Sequence, residues 1–315
     1  MDIKVGRSLG FVAPALVVAA GALAVPADRV SWTAAAVCEL RALGAQHPDP
    51  KLRNGDFLAT RLCNPVRLPR EYEAARDVMD DNPEAHAGFF YVNARTRHID
   101  SQLRQAIASG VTQVVILGAG FDSRAYRFHK SYPRLAFFEV DLPATISAKQ
   151  AAVRRLFGAL PGYVHYVPID FDVQALDEVL AGAGYDAARL TLFILEGVTM
   201  YVSAAGNAAT FDFIRLHSPS GSRVVFDYVL RRVVDGDYDG LYAASSEAKG
   251  VALVGEPFVT GWTPAEAQTF AQRHGLNVLE DLDALALTRR YLIGSNGKPD
   301  GRIPDGYRIV DAKVQ

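Results

Sequence analysis

A chain of 315 residues, half of them apolar and 22% charged, has the balance of a globular protein that buries a core, which excludes a disordered or fibrous one. A formal net charge of -2, with no Lys/Arg run and no basic stripe interleaved with aromatics, gives no reason to expect nucleic acid and leaves a small molecule as the default partner. The two cysteines, Cys38 and Cys63, are far apart in sequence; they write neither a CxxC redox pair nor a cysteine zinc site and read as reduced thiols packed in helices.

Residues 1–30 form a first segment. Lys4 and Arg7 precede an apolar stretch, Leu9 to Val25, that ends in Ala22-Leu23-Ala24 and resembles a secretory signal. It is shorter than the roughly 20 residues that a spanning helix needs, and Gly10, Pro14 and Gly21 weaken it. The preferred reading is a helix packed on the domain or on a partner, with export or weak membrane-surface contact through residues 9–25 as its alternative. Residues 31–110 read as a helical cover. Helical periodicity runs from Thr33 through Leu43, Pro48-Asp49-Pro50 breaks it, and Phe57-Leu58-Ala59 begins a short second helix. A polar stretch from Pro65 to Pro83 follows, then a helix over Asn93 to Ser109.

Past Gly110, short apolar runs alternate with helical segments, the pattern of an α/β domain with a mostly parallel sheet and crossover helices. Seven strands are predicted: Gln113–Leu117, Leu135–Val140, Tyr163–Ile169, Leu190–Leu195, Arg223–Tyr228, a run near Leu276–Leu279, and Tyr291–Ile293. Helices are predicted over Thr145–Leu156, Val173–Leu180, Ala204–Leu216 and Thr263–Arg273. Residues 111–315 are therefore read as one Rossmann-like core. The gap from Leu230 to Gly261 reads as an insertion, a lid or substrate-facing segment.

The chemistry concentrates at the carboxyl ends of these strands. Val114 to Leu117 runs into Gly118-Ala119-Gly120, where two residues without a Cβ let the backbone turn sharply and a ligand approach closely. Asp141 ends the next strand, 23 residues beyond Gly118, where a carboxylate accepts hydrogen bonds from both hydroxyls of a ribose. Together they indicate a nucleoside cofactor. A dinucleotide turn requires a third glycine where Ser123 stands, so a cofactor without a pyrophosphate fits better. After the third strand, Asp170 offers an acceptor to an adenine amino group and Phe171 an apolar face, unless Asp170 or Asp172 simply caps the following helix. Glu196 ends an apolar strand and needs a partner, for which a sulfonium-bearing amino acid is one candidate.

Four segments in order, Asn93–Asp100 (NARTRHID), Leu117–Arg127 (LGAGFDSRAYR), Phe138–Pro143 (FEVDLP) and Glu196–Val202 (EGVTMYV), resemble the leucine carboxyl methyltransferase family, especially its bacterial S-adenosylmethionine-dependent branch. The resemblance runs, with gaps, from about Ser31 to about Ile293. It implies a class I methyltransferase fold and S-adenosylmethionine as cofactor. It also implies that Arg95 holds the methionine carboxylate, Gly118 lines the cofactor turn beside Gly120, and Asp141 binds the ribose. Asp170 and Phe171 would flank the adenine, Glu196 would face the methionine amino group, and Tyr201 would stand near the acceptor. The sequence departs from the family at Phe171, where relatives often carry leucine, and in the apolar segment before Val25.

Methyl transfer from a sulfonium needs positioning and exclusion of water, and no metal. A carboxylate acceptor, on a small molecule or peptide, is already ionised, and carboxyl methylation is what the family implies. An alcohol or phenol would need a base, with His98, His129, His165 and Tyr201 as candidates. A cytoplasmic location follows from a cytosolic cofactor. No GxSxG, HExxH or P-loop is present. The rival readings are a nicotinamide-dependent oxidoreductase and a cofactor-binding homologue without catalysis.

Overall fold

The computed structural model describes residues 29–63, 84, 86–170 and 174–315; the apolar segment at 9–25, the stretch from Pro65 to Pro83 and Phe171 lie outside them. The chain begins with α1 (Trp32–Ala45), which Ser31 caps by accepting from the Ala34 N–H, and with the one-turn α2 (Ala59–Leu62). The long α3 (Ala87–Ala108) starts six residues before the predicted Asn93. Its early turns, Ala87-Gly88-Phe89-Phe90-Tyr91-Val92, carry no polar periodicity; Ala87, Tyr91 and Val92 are buried and the three residues between are partly buried.

The α/β region follows as β1 (Gln113–Leu117), α4 (Arg124–His129), β2 (Ala136–Asp141), α5 (Pro143–Phe157), β3 (Val164–Pro168), α6 (Leu176–Gly182), β4 (Thr191–Leu195), α7 (Ala204–Leu216) and β5 (Arg223–Val229). Then come α8 (Arg231–Val234), α9 (Ala244–Leu253), α10 (Pro264–Arg273), β6 (Leu276–Leu282), α11 (Ala284–Tyr291) and β7 (Tyr307–Val314). The seven strands lie in one sheet, ordered β3-β2-β1-β4-β5-β7-β6. The first five strands pair in parallel, and β7 runs antiparallel between β5 and β6. Both faces are covered. Val114 and Ile116 of β1 join the cluster beneath α1 and α3, while Val115 and Leu117 join the one beneath α6, α7 and α10. A strand buried on both sides reads as a continuous apolar run.

Two expectations are corrected. Tyr291–Ile293 is not a strand: Tyr291 ends α11, whose start is fixed by the Asp283 side chain accepting from the Ala286 N–H. The seventh strand is instead β7, which inserts between β5 and β6 near the chain's end. The cysteines are not reduced thiols. Cys38 on α1 and Cys63 just after α2 form a disulfide with their Cα atoms 5.5 Å apart. Spacing along the chain concealed this, because the two helices pack together across the intervening turn.

Candidate active site

Strand ends place the first set of residues. β1 stops at Leu117, and Gly118 (φ +62°) and Gly120 (φ +44°) turn the chain in the left-handed region, which favours glycine. A side chain at Gly118 would run into Val198, and a Cβ at Gly120 would lie 3.1 Å from Ala34. The turn is thus closed to side chains, and its backbone lines a cavity. Asp141, at the end of β2, accepts from the backbone N–H of Gly120 at 2.6 Å and of Leu142 at 2.7 Å. Burial raises its pKa above the ordinary carboxylate value, against the lowering by those two donors. Each of its oxygens keeps a lone pair for a further donor, as a ribose diol requires. Asp170 lies just beyond β3; it does not cap α6, whose N-cap is Ala175 with no side-chain bond.

A buried network of charges forms the second set. Glu196, one residue beyond β4, accepts from Arg95 Nε at 3.1 Å and from an Arg124 terminal nitrogen at 2.6 Å, with Arg41 at 3.8 Å. Burial would raise its pKa, but Arg124, Arg95 and Arg41 outweigh that and hold it well below the ordinary value. Arg95 also donates to Asp227 of β5 at 2.5 Å. The hydroxyl of Tyr91 and the N–H of Gly197 donate to the same Asp227 carboxylate, at 2.8 and 2.6 Å. Arg124 in turn contacts Asp122 and Asp100, and Arg127 bonds Asp100 at 2.6 Å. The two residues that the resemblance assigns to opposite ends of a methionine, Arg95 and Glu196, are here paired with each other.

A third set comes from the segment between β5 and α10. Glu256 accepts from the N–H groups of Trp32 and Thr33, at 2.8 and 3.0 Å, and from the Thr33 hydroxyl at 2.6 Å. A carboxylate from residues 230–261 thereby caps α1 of the helical cover. Glu247 on α9 and Tyr307 on β7 are hydrogen bonded at 3.2 Å.

All three sets meet at one cavity of about 1220 Å³. Arg95, Gly118, Gly120, Asp141, Asp170, Glu196 and Tyr201 line it. Phe171 lies outside the described residues. Tyr201 is half-buried, and burial followed by the proximity of Glu256 raises its pKa far above the ordinary phenol value. Among the other proposed bases, His98 is buried between Asp311 and Tyr291, His129 stacks on Tyr163 and His165 on Phe138, and none of the three lines the cavity. Sequence reasoning missed Arg124, Asp227, Glu247 and Glu256. Asp227 carried the same signal as Glu196, an acid within an apolar strand; Glu247 and Glu256 carried none. Among the described residues no cluster of His, Cys, Asp and Glu is arranged to hold a metal ion, and no helix is long and apolar enough to cross a membrane.

Sheet order and antiparallel β7 define a Rossmann-like class I methyltransferase fold. The fold resembles the crystal structure of a DUF574 family protein from Streptomyces avermitilis MA-4680, with a TM-score of 0.57 and 16% identity over 81% of this chain and 95% of that one. Residues 34–215 match the leucine carboxyl methyltransferase family, and the chain belongs to it. Its relatives are bacterial. One is YktD of Bacillus subtilis strain 168, named as a candidate S-adenosyl-L-methionine-dependent methyltransferase, 31% identical over 60% of this chain and 62% of its own length. FRAAL3718 of Frankia alni, similarly named, is 31% identical over 76% of this chain and 84% of its own length. The chain thus spans somewhat less than two thirds of the Bacillus relative. S-adenosylmethionine is the cofactor of this class of enzyme, and the side-chain-free glycine turn beside the Asp141 carboxylate fits its nucleoside.

Proposed function

We propose that this protein transfers the methyl group of S-adenosylmethionine to a carboxylate oxygen of a small, largely apolar acceptor. The observation that carries the reading is the continuity of the cavity from the sheet edge at Gly118, Asp141 and Asp170 to an apolar wall. That wall is built by Trp32 and Leu40 of α1, Phe89 of α3, and Val251, Val254 and Phe258 after β5. A site for one small ligand usually holds about 300–1,000 Å³. This one has room for a nucleoside and a second molecule.

Bound S-adenosylmethionine supplies a methyl on a positively charged sulfur, so the leaving group is already activated. The chain's own residues have the remaining tasks. Asp141 accepts from the ribose, and Glu196, held by Arg95, Arg124 and Arg41, lines the edge where the methionine end of the cofactor must sit. Helix α1 and the segment at 230–261 exclude water, which strengthens every charge interaction inside. The family name supports a carboxylate as acceptor. Supply of the cofactor favours a cytoplasmic location.

The test is transfer of labelled methyl to a panel of aromatic and aliphatic carboxylates and matched alcohols. The expected product is an ester, which mild alkali cleaves to labelled methanol. An alkali-stable product, as an ether or N-methyl compound gives, would contradict the carboxylate.

A further inference from the structure

Glu247 stands in the cavity wall on α9, outside the charged network at the sheet edge. Its carboxyl group is held from two sides. The Tyr307 hydroxyl donates from β7 at 3.2 Å, and the Gly88 N–H donates from the start of α3. The fit is close: a Cβ at Gly88 would lie 2.7 Å from Oε1. Tyr307 stacks on Tyr91 with ring centroids 4.2 Å apart, and Tyr91 reaches Asp227 and so Arg95. Glu247 therefore adjoins the cofactor edge through two tyrosines. Tyr201 and Arg95 face the same pair of groups, Ser246 on its own helix turns to Glu84, and His86 lines the cavity near α3.

Burial raises the Glu247 pKa to about 7, against the lowering by the Tyr307 hydroxyl, the Gly88 N–H and the charge of Arg95. Among the described residues no cation forms an ion pair with it. The cavity's two arginines already face carboxylates, Arg41 with Asp56 at 3.4 Å and Arg95 with Asp227 and Glu196. An acceptor carboxylate entering this apolar wall thus finds, among the described residues, two arginines already ion-paired to carboxylates, Arg41 through contacts of 3.4 and 3.8 Å that leave its Nε without a hydrogen bond, and on α9 a carboxyl group able to carry a proton. Two carboxylates in hydrogen-bond contact cannot both stay ionised, and they share one proton.

We propose that Glu247 recognises the acceptor by sharing one proton with its carboxylate, donating its O–H to one acceptor oxygen and leaving the other free to attack. The inference rests on the carboxylate reading given above. In the transfer, the free oxygen bonds to the methyl carbon as the carbon–sulfur bond breaks. The electron pair stays on sulfur, the acceptor becomes a neutral ester, and the proton remains on Glu247 before and after. The neutral form of Glu247 is thus the competent one. Acceptor affinity falls as pH rises through its pKa.

The experiment titrates 1-naphthoate, octanoate and 4-phenylbutyrate into the full chain with S-adenosylhomocysteine present. Calorimetry is run near pH 6 and pH 8.5 in two buffers of different ionisation enthalpy. At least one acid is expected to bind about tenfold or more tightly at the lower pH, with about one proton taken up per acid bound at the higher pH. Glu247→Gln should remove both the pH dependence and the proton uptake; its affinity for S-adenosylhomocysteine alone reports whether it is folded. Protonation of His86 would give a similar slope, so His86→Gln is measured too and should keep the dependence. Binding without proton uptake, or a dependence that follows His86, overturns the role of Glu247 while leaving carboxyl methylation intact. If none of the acids binds but 1-naphthol does, the carboxylate reading itself fails.

Discussion

At the scale of single residues, the account turns on carboxylates whose environments push them in opposite directions. Glu196 among three arginines is held ionised, whereas Glu247 beside two tyrosines is pushed towards the neutral form. For Glu196 the folded pKa lies below the ordinary value of 4.5. Its stabilising contribution is therefore full above that value and is lost as pH falls below it. Glu196→Gln leaves Arg95 and Arg124 with fewer partners in a buried setting and should cost about 3 kcal/mol at neutral pH. In urea melts at descending pH, the gap between variant and wild type should narrow below about pH 4.5; a gap that is constant with pH would contradict an ionised Glu196. Asp141 and Glu196 were legible in the sequence because an acid that ends an apolar strand stands out locally. Glu247 and Glu256 were not. They lie in a stretch without periodicity, and only the packing of α9 and the chain beyond it against α1, α3 and β7 gives them neighbours.

Elements join these residues into a closed site. Glu256 is the fastening between the segment at 230–261 and α1, replacing water at four donors of one helix start. Glu256→Ala orphans those donors and should cost about 2 kcal/mol. Because α1 walls the apolar part of the cavity, the acceptor KM should rise about tenfold while affinity for S-adenosylhomocysteine changes less than about threefold; steady-state kinetics and a binding titration check this. An equal loss of both would mean that Glu256 supports the cofactor half as well. The disulfide between Cys38 and Cys63 ties α1 from the other side by closing a loop with a sequence separation of 25. The parallel strands and α10, with its Thr263 and Glu266 capping box, were legible because periodicity and cap coincide. Strand β7 was not. The apolar run Tyr291–Ile293 at the end of α11 competed for the assignment, and the antiparallel insertion between β5 and β6 is a long-range choice that no local pattern records.

For the whole molecule, the sheet brings a turn at 118–120, a carboxylate at 141 and a charged cluster around 196 to one edge, and the helical cover with the segment at 230–261 roofs that edge. The parallel half of the sheet could be read from the sequence, as could most of the residues at its edge. The roof was legible as a helical cover and a substrate-facing insertion at 230–261, both of which line the cavity, but its contacts were not, because they join segments distant in sequence that meet only in the fold. On the proposed division of the site, the sheet side holds a nucleoside whether or not an acceptor is present. The most direct measurement is a calorimetric titration of S-adenosylhomocysteine into wild type and Asp141→Asn, with NAD as comparison. One saturable site per chain is expected, with no heat from NAD and a loss of about 1.5–3 kcal/mol in the variant, roughly ten- to a hundredfold in affinity. Unchanged affinity in Asp141→Asn, or binding of NAD in place of S-adenosylhomocysteine, would contradict it.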